Sequence, residues 1–216
     1  MGTNFGNAFF NPTTKRYESQ TMPVWIEVKG RKLAGGTFDI SGFKDGDIIP
    51  AGIPVRLDLM GGTVKLLPTF EVVSAVAADG TSLVLRPLAG IVPAEDMVVG
   101  KMTNASTGKS IALGAATPGT GDNAGTYTFT ITANSLGTLA AGDILVVVSA
   151  AGTNKAAVLP NGLSWRQVVI DSDDPTLGTI AVVTKGQVLA DRIPQMPDFY
   201  KDALSGIDFE YERIAE

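Results

Sequence analysis

The residue types that most often carry enzymatic chemistry are missing from this chain. Its 216 residues include no His and no Cys. No imidazole is therefore available as a general base or zinc ligand, and no thiolate as a nucleophile or disulfide partner. A Ser-His-Asp triad is excluded for the same reason. Catalysis or ligand binding would therefore depend on carboxylates, hydroxyls, lysines and backbone groups.

A pair of carboxylates can hydrolyse a glycosidic bond without His. Four acidic residues are candidates for such a pair: Asp58, Glu71, Glu95 and Asp191. None lies in a recognisable signature, and only two Trp are present to build a sugar-stacking cleft. The sequence therefore predicts that the protein is not an enzyme.

Two short motifs are similar to ligand-binding loops but lack defining residues. Residues 103–110 end in Gly-Lys-Ser, yet a phosphate-binding loop requires Gly where Thr103 stands. Residues 171–174 offer carboxylates to Ca²⁺ but have neither the Gly nor the final Glu of a calcium loop. We predict a surface loop for the first motif and a turn for the second, with an adventitious cation as the second motif's alternative. No metal site and no cofactor are predicted.

The charge and hydropathy of the chain argue against two kinds of partner. It has 17 Lys and Arg against 22 Asp and Glu, a net charge of -5. Phosphate neutralisation needs clustered cations, so no nucleic-acid partner is predicted. No run of 18 apolar residues exists, so no membrane partner is predicted. Residues 1–20 lack the pattern of a secretory signal, and synthesis in a bacterial cytoplasm is expected.

The pattern along most of the chain is that of short strands joined by turns. Its 20 Val and 21 Thr favour strands, and 25 Gly and 12 Pro supply turns. Residues 55–59 alternate, and 63–67 are their expected hairpin partner. Residues 126–132 alternate most regularly, whereas 144–149 are typical of a strand buried on both faces. We predict an all-β fold of short-stranded barrel or sandwich lobes, with one or two short helices and an extended N-terminal arm.

Prolines, glycines and small polar residues predict where the segments of the chain begin and end. Helices are expected at 93–97 and 197–204, because proline suits the first helical turn. The small, polar stretch 103–125 is expected to be a long exposed loop, and Lys185-Gly186 a turn between two strands. The predicted parts are an N-terminal arm at 1–21, a first β lobe at 22–90, a second β lobe at 91–196, and a C-terminal helix and edge strand at 197–216.

The N-terminal arm combines an irregular polar pattern with aromatic side chains. These aromatic residues are Phe5, Phe9, Phe10 and Tyr17. A solvated tail rarely carries so much aromatic surface. Two interpretations stay open: a flexible or edge-packing terminus, and an arm that becomes ordered on another subunit or partner. Trp25 and Trp165 lie in strand-like contexts and are interpreted as core or interface anchors.

Two passages of the chain resemble a known protein family. One is residues 45–55, DGDIIPAGIPV, and the other combines residues 157–163, AVLPNGL, with residues 181–193, AVVTKGQVLADRI. Both are similar to pieces of tailed-phage head fibre and head decoration proteins, especially those of phages and prophages in Bacteroides-like hosts. In that family the Ile-Pro-Ala-Gly-Thr-Pro-Val phrase lies on a tight β-hairpin. Ile53 stands here in place of the Thr.

The resemblance implies a structural protein docked on the outer surface of a phage head, which reinforces the shell or carries a projection. It implies the major capsid protein as partner, and a homo-oligomer with trimer favoured over dimer. The candidate capsid or subunit interface residues are Phe5, Phe9, Phe10, Tyr17 and Trp25, because buried aromatic residues dominate interface energies. The alternative is a carbohydrate-binding β-module of a bacterial cell surface or phage adhesin, with a host surface glycan as partner.

Overall fold

The computed structural model describes residues 24–40, 43–171 and 178–211. Strands predominate in these residues, and their single α-helix has six residues. The predicted all-β fold is confirmed. The predicted arm, with Phe5, Phe9, Phe10 and Tyr17, lies outside the described residues.

Most strands are short, as the dense turn signals predicted, but β1 and β15 have 13 and 11 residues. The first eight strands are β1 (Trp25–Thr37), β2 (Ile48–Ile49), β3 (Pro54–Asp58), β4 (Thr63–Leu66), β5 (Phe70–Val72), β6 (Ser82–Pro87), β7 (Val98–Asn104) and β8 (Thr107–Ala112). The remaining strands are β9 (Thr117–Pro118), β10 (Tyr127–Thr130), β11 (Ile144–Val147), β12 (Gly152–Thr153), β13 (Gly162–Ser164), β14 (Val168–Val169), β15 (Thr179–Leu189) and β16 (Ile207–Glu210). The helices are 3₁₀ turns at Gly121–Asn123 and Ala190–Arg192, and α1 (Asp198–Ala203).

Six strands form one sheet, in the order β1-β4-β3-β13-β15-β16. β15 also pairs antiparallel with β1, so that β1, β4, β3, β13 and β15 form a closed ring, here named the barrel. Alternate residues of its strands, such as Val55, Leu57 and Val182, are buried in one apolar cluster. β16 lies parallel to β15 at the edge of the sheet, where the sequence predicted an edge strand.

Eight strands form a second sheet, in the order β12-β8-β7-β11-β5-β6-β10-β9. Its buried cluster includes Phe70, Leu85 and Phe129. Another buried cluster, which includes Leu67, Val147 and Tyr200, takes side chains from both sheets and from α1. These shared contacts hold the second sheet against the barrel.

The grouping of strands differs from the predicted sequence of lobes. The barrel is built from β1, β3 and β4 together with β13 and β15, and the second sheet occupies residues 70–153 between them. The predicted boundary between residues 90 and 91 falls between β6 and β7, which belong to the same sheet. The predicted domain boundaries stay a prediction, because sheet membership does not show which parts unfold together.

The helix expected at residues 93–97 is wrong. This segment contains one isolated turn, in which the backbone N–H of Met97 donates to the carbonyl of Ala94. Asp96 has a φ of 65°, in the left-handed region, and this conformation cannot continue a right-handed helix. The second expected helix is present as α1, with Pro197 as its N-cap residue.

The long exposed loop expected at residues 103–125 is wrong for residues 103–112, where the end of β7 pairs antiparallel with β8. Residues 113–125 contain only β9 and a 3₁₀ turn among irregular, mostly exposed residues. Asn104 Oδ1 accepts a hydrogen bond from the backbone N–H of Ser106 at 2.9 Å, which closes the hairpin turn. Small polar residues are typical of loops, but pairing with β7, whose other edge contacts β11, makes residues 107–112 a strand.

The turn expected at Lys185-Gly186 is wrong, since β15 runs through it without interruption. A Cβ atom at Gly186 would lie 2.4 Å from the carbonyl oxygen of Glu27 on β1. The glycine therefore permits a close approach of two strands and does not reverse the chain.

Candidate interaction surfaces

Trp25 is the predicted interface residue that lies within the described part of the chain. It starts β1 and is half-buried against the cluster shared by the two sheets. Its indole Nε1 donates a hydrogen bond to the backbone carbonyl oxygen of Trp165 at 2.8 Å. Trp25 is therefore a structural anchor, and its part in an interface stays a prediction.

Trp165 lies directly after β13 and carries two guanidinium groups over its ring. The Cζ atoms of Arg31 and Arg166 are 4.0 and 3.9 Å from the ring centroid. Both arginines are exposed, whereas Trp165 is half-buried. These three residues are here named the Arg-Trp patch. No sequence pattern indicates the patch, because Arg31 is separated from the other two residues by more than 130 positions.

The β3–β4 hairpin presents an apolar tip that the sequence analysis also missed. Leu59 is 69% exposed and Met60 is 100% exposed. Asp58 holds this tip in shape, because its Oδ1 accepts the backbone N–H of Met60 at 3.0 Å. Hydrogen bonds from the backbone of Gly61 and then of Met60 lower the pKa of the Asp58 carboxyl. The signal in the sequence is Leu-Met directly before the Gly-Gly of a hairpin.

A cavity of about 700 Å³ lies beside this hairpin, between the end of β1, β4 and residues 91–97. Most of its lining is apolar, including Phe38, Phe43, Val64, Leu66, Ile91 and Met97. Asp39, Asp47 and Lys65 add charged groups. The ring centroids of Phe38 and Phe43 are 6.1 Å apart, and the rings are nearly perpendicular. This volume is within the range of small-molecule sites.

The acidic residues considered as a catalytic pair are distributed over four elements. Asp58 ends β3, Glu71 lies on β5, Glu95 lies in a turn and Asp191 lies in a 3₁₀ turn. Glu71 forms an ion pair with Arg86 at 3.0 Å. In residues 24–40, 43–171 and 178–211, no group of three or more His, Cys, Asp or Glu side chains is arranged to hold a metal ion.

The Gly-Lys-Ser motif lies on β8 and is bonded to the protein itself. Lys109 Nζ donates to the carbonyl oxygen of Asn134 at 3.2 Å. Ser110 Oγ lies 2.8 Å from the carbonyl oxygen of Ala150 and 3.0 Å from that of Gly152. These contacts stabilise the second sheet. The acidic motif at 171–174 lies, apart from Asp171, outside the described residues.

Residues 45–55 and 157–163 adjoin in the barrel, where Val55 pairs with Gly162 and Pro54 with Leu163. The Ser164 hydroxyl, one residue after the 157–163 segment of the second passage ends, donates to the carbonyl of Pro50 and accepts the backbone N–H of Ile53, both at 2.9 Å. Asn161 bonds the backbone N–H and carbonyl of Leu57, both at 2.8 Å. These bonds join the turn at 50–52 and the following strand to β13.

Gly52 shows how tightly the passages fit. Its φ is 80°, and a Cβ atom there would lie 2.2 Å from Cγ2 of Ile193.

No helix in the described residues is long and apolar enough to cross a membrane. No protein-family model, curated protein or solved structure matches this chain.

Proposed function

We propose that the protein is a structural component of a tailed-phage virion, attached to the outside of the capsid as a head fibre or decoration protein. It stabilises the shell or presents a projection, and it has no catalytic role. Its partner is the major capsid protein, and it acts as a homo-oligomer with trimer favoured over dimer. It is made in the bacterial cytoplasm and resides on the outer capsid surface.

The proposal is carried by the contact between the two passages that resemble the phage family. The backbone N–H of Asn161, in the second passage, donates to the carbonyl of Val55, in the first passage, at 3.0 Å, although the two residues are more than a hundred positions apart in sequence. Chance matches to turn motifs would have no reason to meet in space. Adjacent motifs instead support a resemblance that extends over one folded unit.

Two further features suit a protein displayed in many copies. The closed ring leaves few free strand edges in the barrel, which limits edge-to-edge aggregation where copies are crowded. Leu59 and Met60 give the hairpin a small apolar tip on a backbone held by Asp58. Such a tip can be buried against a subunit with little loss of backbone conformational entropy.

Immunogold electron microscopy of particles from the native source tests the proposal. Antibodies against the full chain are expected to label the outside of phage heads, and the purified protein is expected to sediment with empty heads. Labelling of the host cell envelope, or no sedimentation with heads, would contradict it. Antibodies that recognise only unfolded chain serve as the negative control for labelling.

The carbohydrate-binding module is a second candidate because of the 700 Å³ cavity, which combines Phe38 and Phe43 with Asp39 and Asp47. Sugar sites combine aromatic rings with carboxylates that accept hydroxyl hydrogen bonds. Calorimetric titration with host surface glycans tests this candidate, and Phe43→Ala is expected to abolish any binding at the cavity. Lys155→Ala, a change of an exposed residue shortly after β12, is the control.

A further inference from the structure

The Arg-Trp patch brings two positive charges together in a chain of net charge -5. Each guanidinium carbon is within 4.0 Å of the Trp165 centroid, so the two carbons are at most about 8 Å apart. This separation does not exceed about the Debye length at physiological salt, so salt screens the repulsion between the two charges only in part. Their proximity therefore costs free energy in the isolated protein.

No carboxylate of the described residues forms an ion pair with either arginine of the patch. The ion pairs formed there involve Lys29, Arg86, Lys101 and Lys201, and none involves Arg31 or Arg166. Both arginines are exposed, so their guanidinium groups are accessible to a partner. A group that supplies carboxylates from outside would remove the repulsion and gain charge-assisted hydrogen bonds.

The patch is also held in place before any partner binds. The backbone N–H of Trp165 donates to Ala181 on β15 at 2.9 Å, and its carbonyl accepts the Trp25 indole. The fixed ring in turn restrains both guanidinium groups by cation–π attraction. Restrained arginines lose less conformational entropy on forming bidentate bonds with carboxylates.

We propose that Arg31, Trp165 and Arg166 form a docking surface for an acidic segment of a partner protein. Trp and Arg are the residue types enriched in the energetic centres of protein interfaces. The patch lines neither described cavity, whereas sugar and other small-molecule sites are concave. Guanidinium groups already lie over the ring that a sugar or a base would stack on. A nucleic acid would also require a longer basic track than this acidic chain provides.

This proposal does not depend on the virion assignment, and its test uses soluble probes. The full chain is titrated at low ionic strength into a fluorescein-labelled polyglutamate peptide, and binding is followed by anisotropy. Parallel titrations use polygalacturonate and an oligothymidylate as acidic polysaccharide and nucleic-acid probes. Arg31→Gln with Arg166→Gln removes the patch, and Lys44→Gln with Lys155→Gln, two exposed residues outside both cavities, is a control with the same change in net charge.

Polyglutamate is expected to bind, and the double arginine variant to weaken that binding at least about fivefold. The double lysine variant is expected to bind as the unchanged protein does. The variant with Arg31→Lys and Arg166→Lys keeps both charges but loses the planar guanidinium groups. Its affinity for polyglutamate is expected to lie between those of the glutamine variant and the unchanged protein. It also provides a measurement if the glutamine variant folds poorly, which thermal melting would reveal.

Three results would overturn the proposal. Equal weakening by the arginine and lysine variants would show a net-charge effect without a site. Tighter, arginine-dependent binding of polygalacturonate or oligothymidylate would assign the patch to another class of ligand. A change in oligomeric mass caused by the arginine variant alone would identify a second copy of the chain as the occupant.

Discussion

The indole of Trp25 donates a hydrogen bond to the backbone carbonyl of Trp165 at 2.8 Å, and this bond joins two residues that are 140 positions apart. It links the start of β1 to the segment that leaves β13. The guanidinium groups of Arg31 and Arg166 lie over the ring of the same Trp165. One side chain thus supports both the closure of the fold and the shape of the Arg-Trp patch.

Trp25→Phe is expected to lower the free energy of unfolding by about 1–3 kcal/mol, because the carbonyl loses its partner and the core loses volume. Trp165→Phe is the matched control, since it keeps the backbone carbonyl and therefore the hydrogen bond. Chemical denaturation of both variants measures the difference. A larger loss for Trp165→Phe than for Trp25→Phe would contradict the structural role given to this bond.

The buried hydroxyl of Tyr200 predicts a substitution that stabilises the protein. Tyr200 is fully buried, and none of the described residues gives its hydroxyl a hydrogen-bond partner. Tyr200→Phe is expected to raise the free energy of unfolding by about 1 kcal/mol. The melting temperature would then rise by about 2–4 °C. A clear decrease in melting temperature would show that the hydroxyl is bonded in solution.

The same residue predicts how stability depends on alkaline pH. Burial raises the pKa of Tyr200 well above its usual value of about 10. The folded state therefore holds this proton more tightly than the unfolded state. Its stabilising contribution is complete below pH 10 and is lost, by about 1.4 kcal/mol per pH unit, as the pH rises above 10 toward the folded-state pKa. Denaturation of Tyr200→Phe between pH 9 and 11 should lack this part of the decline.

Gly52 and Gly46 form a matched pair for testing the packing of the family-like passage. Both have positive φ, 80° and 87°, so alanine is strained at either position by about 1–2 kcal/mol. Only Gly52→Ala also forces a Cβ against Ile193, which adds about 1–3 kcal/mol. A Cβ at Gly46 meets no atom within 4 Å. Equal destabilisation of the two variants would mean that the contact with Ile193 relaxes freely.

Removal of residues 1–21 tests the arm as the capsid-attachment element. The truncated protein is expected to keep its melting temperature, because β1 and its contacts begin after the arm. Sedimentation with empty heads is expected to be lost, since three Phe and one Tyr are removed together. A full-length variant with Phe5, Phe9 and Phe10 changed to Ser separates the aromatic anchors from arm length. Unfolding on truncation, or unchanged binding, would refute the arm's role.

The oligomeric state is measurable on the purified chain alone. A trimer of the 22.5 kDa chain has a mass of about 68 kDa by light scattering, and an obligate interface keeps that mass on dilution. Leu59→Asp with Met60→Asp tests whether the hairpin tip takes part, and Lys65→Gln is the control on the same hairpin. A mass near that of one chain at all micromolar concentrations would be evidence for a monomer.

Local patterns were sufficient to predict the β3–β4 hairpin, β10, β11, the edge strand β16 and α1. Residues 55–59 and 63–67 alternate around a Gly-Gly turn, and the β3–β4 hairpin forms there because side-chain alternation and turn chemistry are properties of neighbouring residues. The absence of His and Cys likewise excluded several chemistries without reference to any fold. Trp25 was recognised as an anchor because a large indole in a strand is rarely left in solvent.

Where the local pattern predicted the wrong structure, pairing between distant strands explains the difference. Lys185-Gly186 is typical of a turn, but the close approach of Glu27 on β1 to Gly186 explains why β15 continues through it. Residues 107–112 are loop-like in composition, and pairing with β7 makes them a strand. The return of β15 to β1 closes the barrel and brings Arg31 to Trp165. Contacts between residues more than a hundred positions apart leave no periodic signal in sequence, so the barrel closure and the Arg-Trp patch exist only in the tertiary structure.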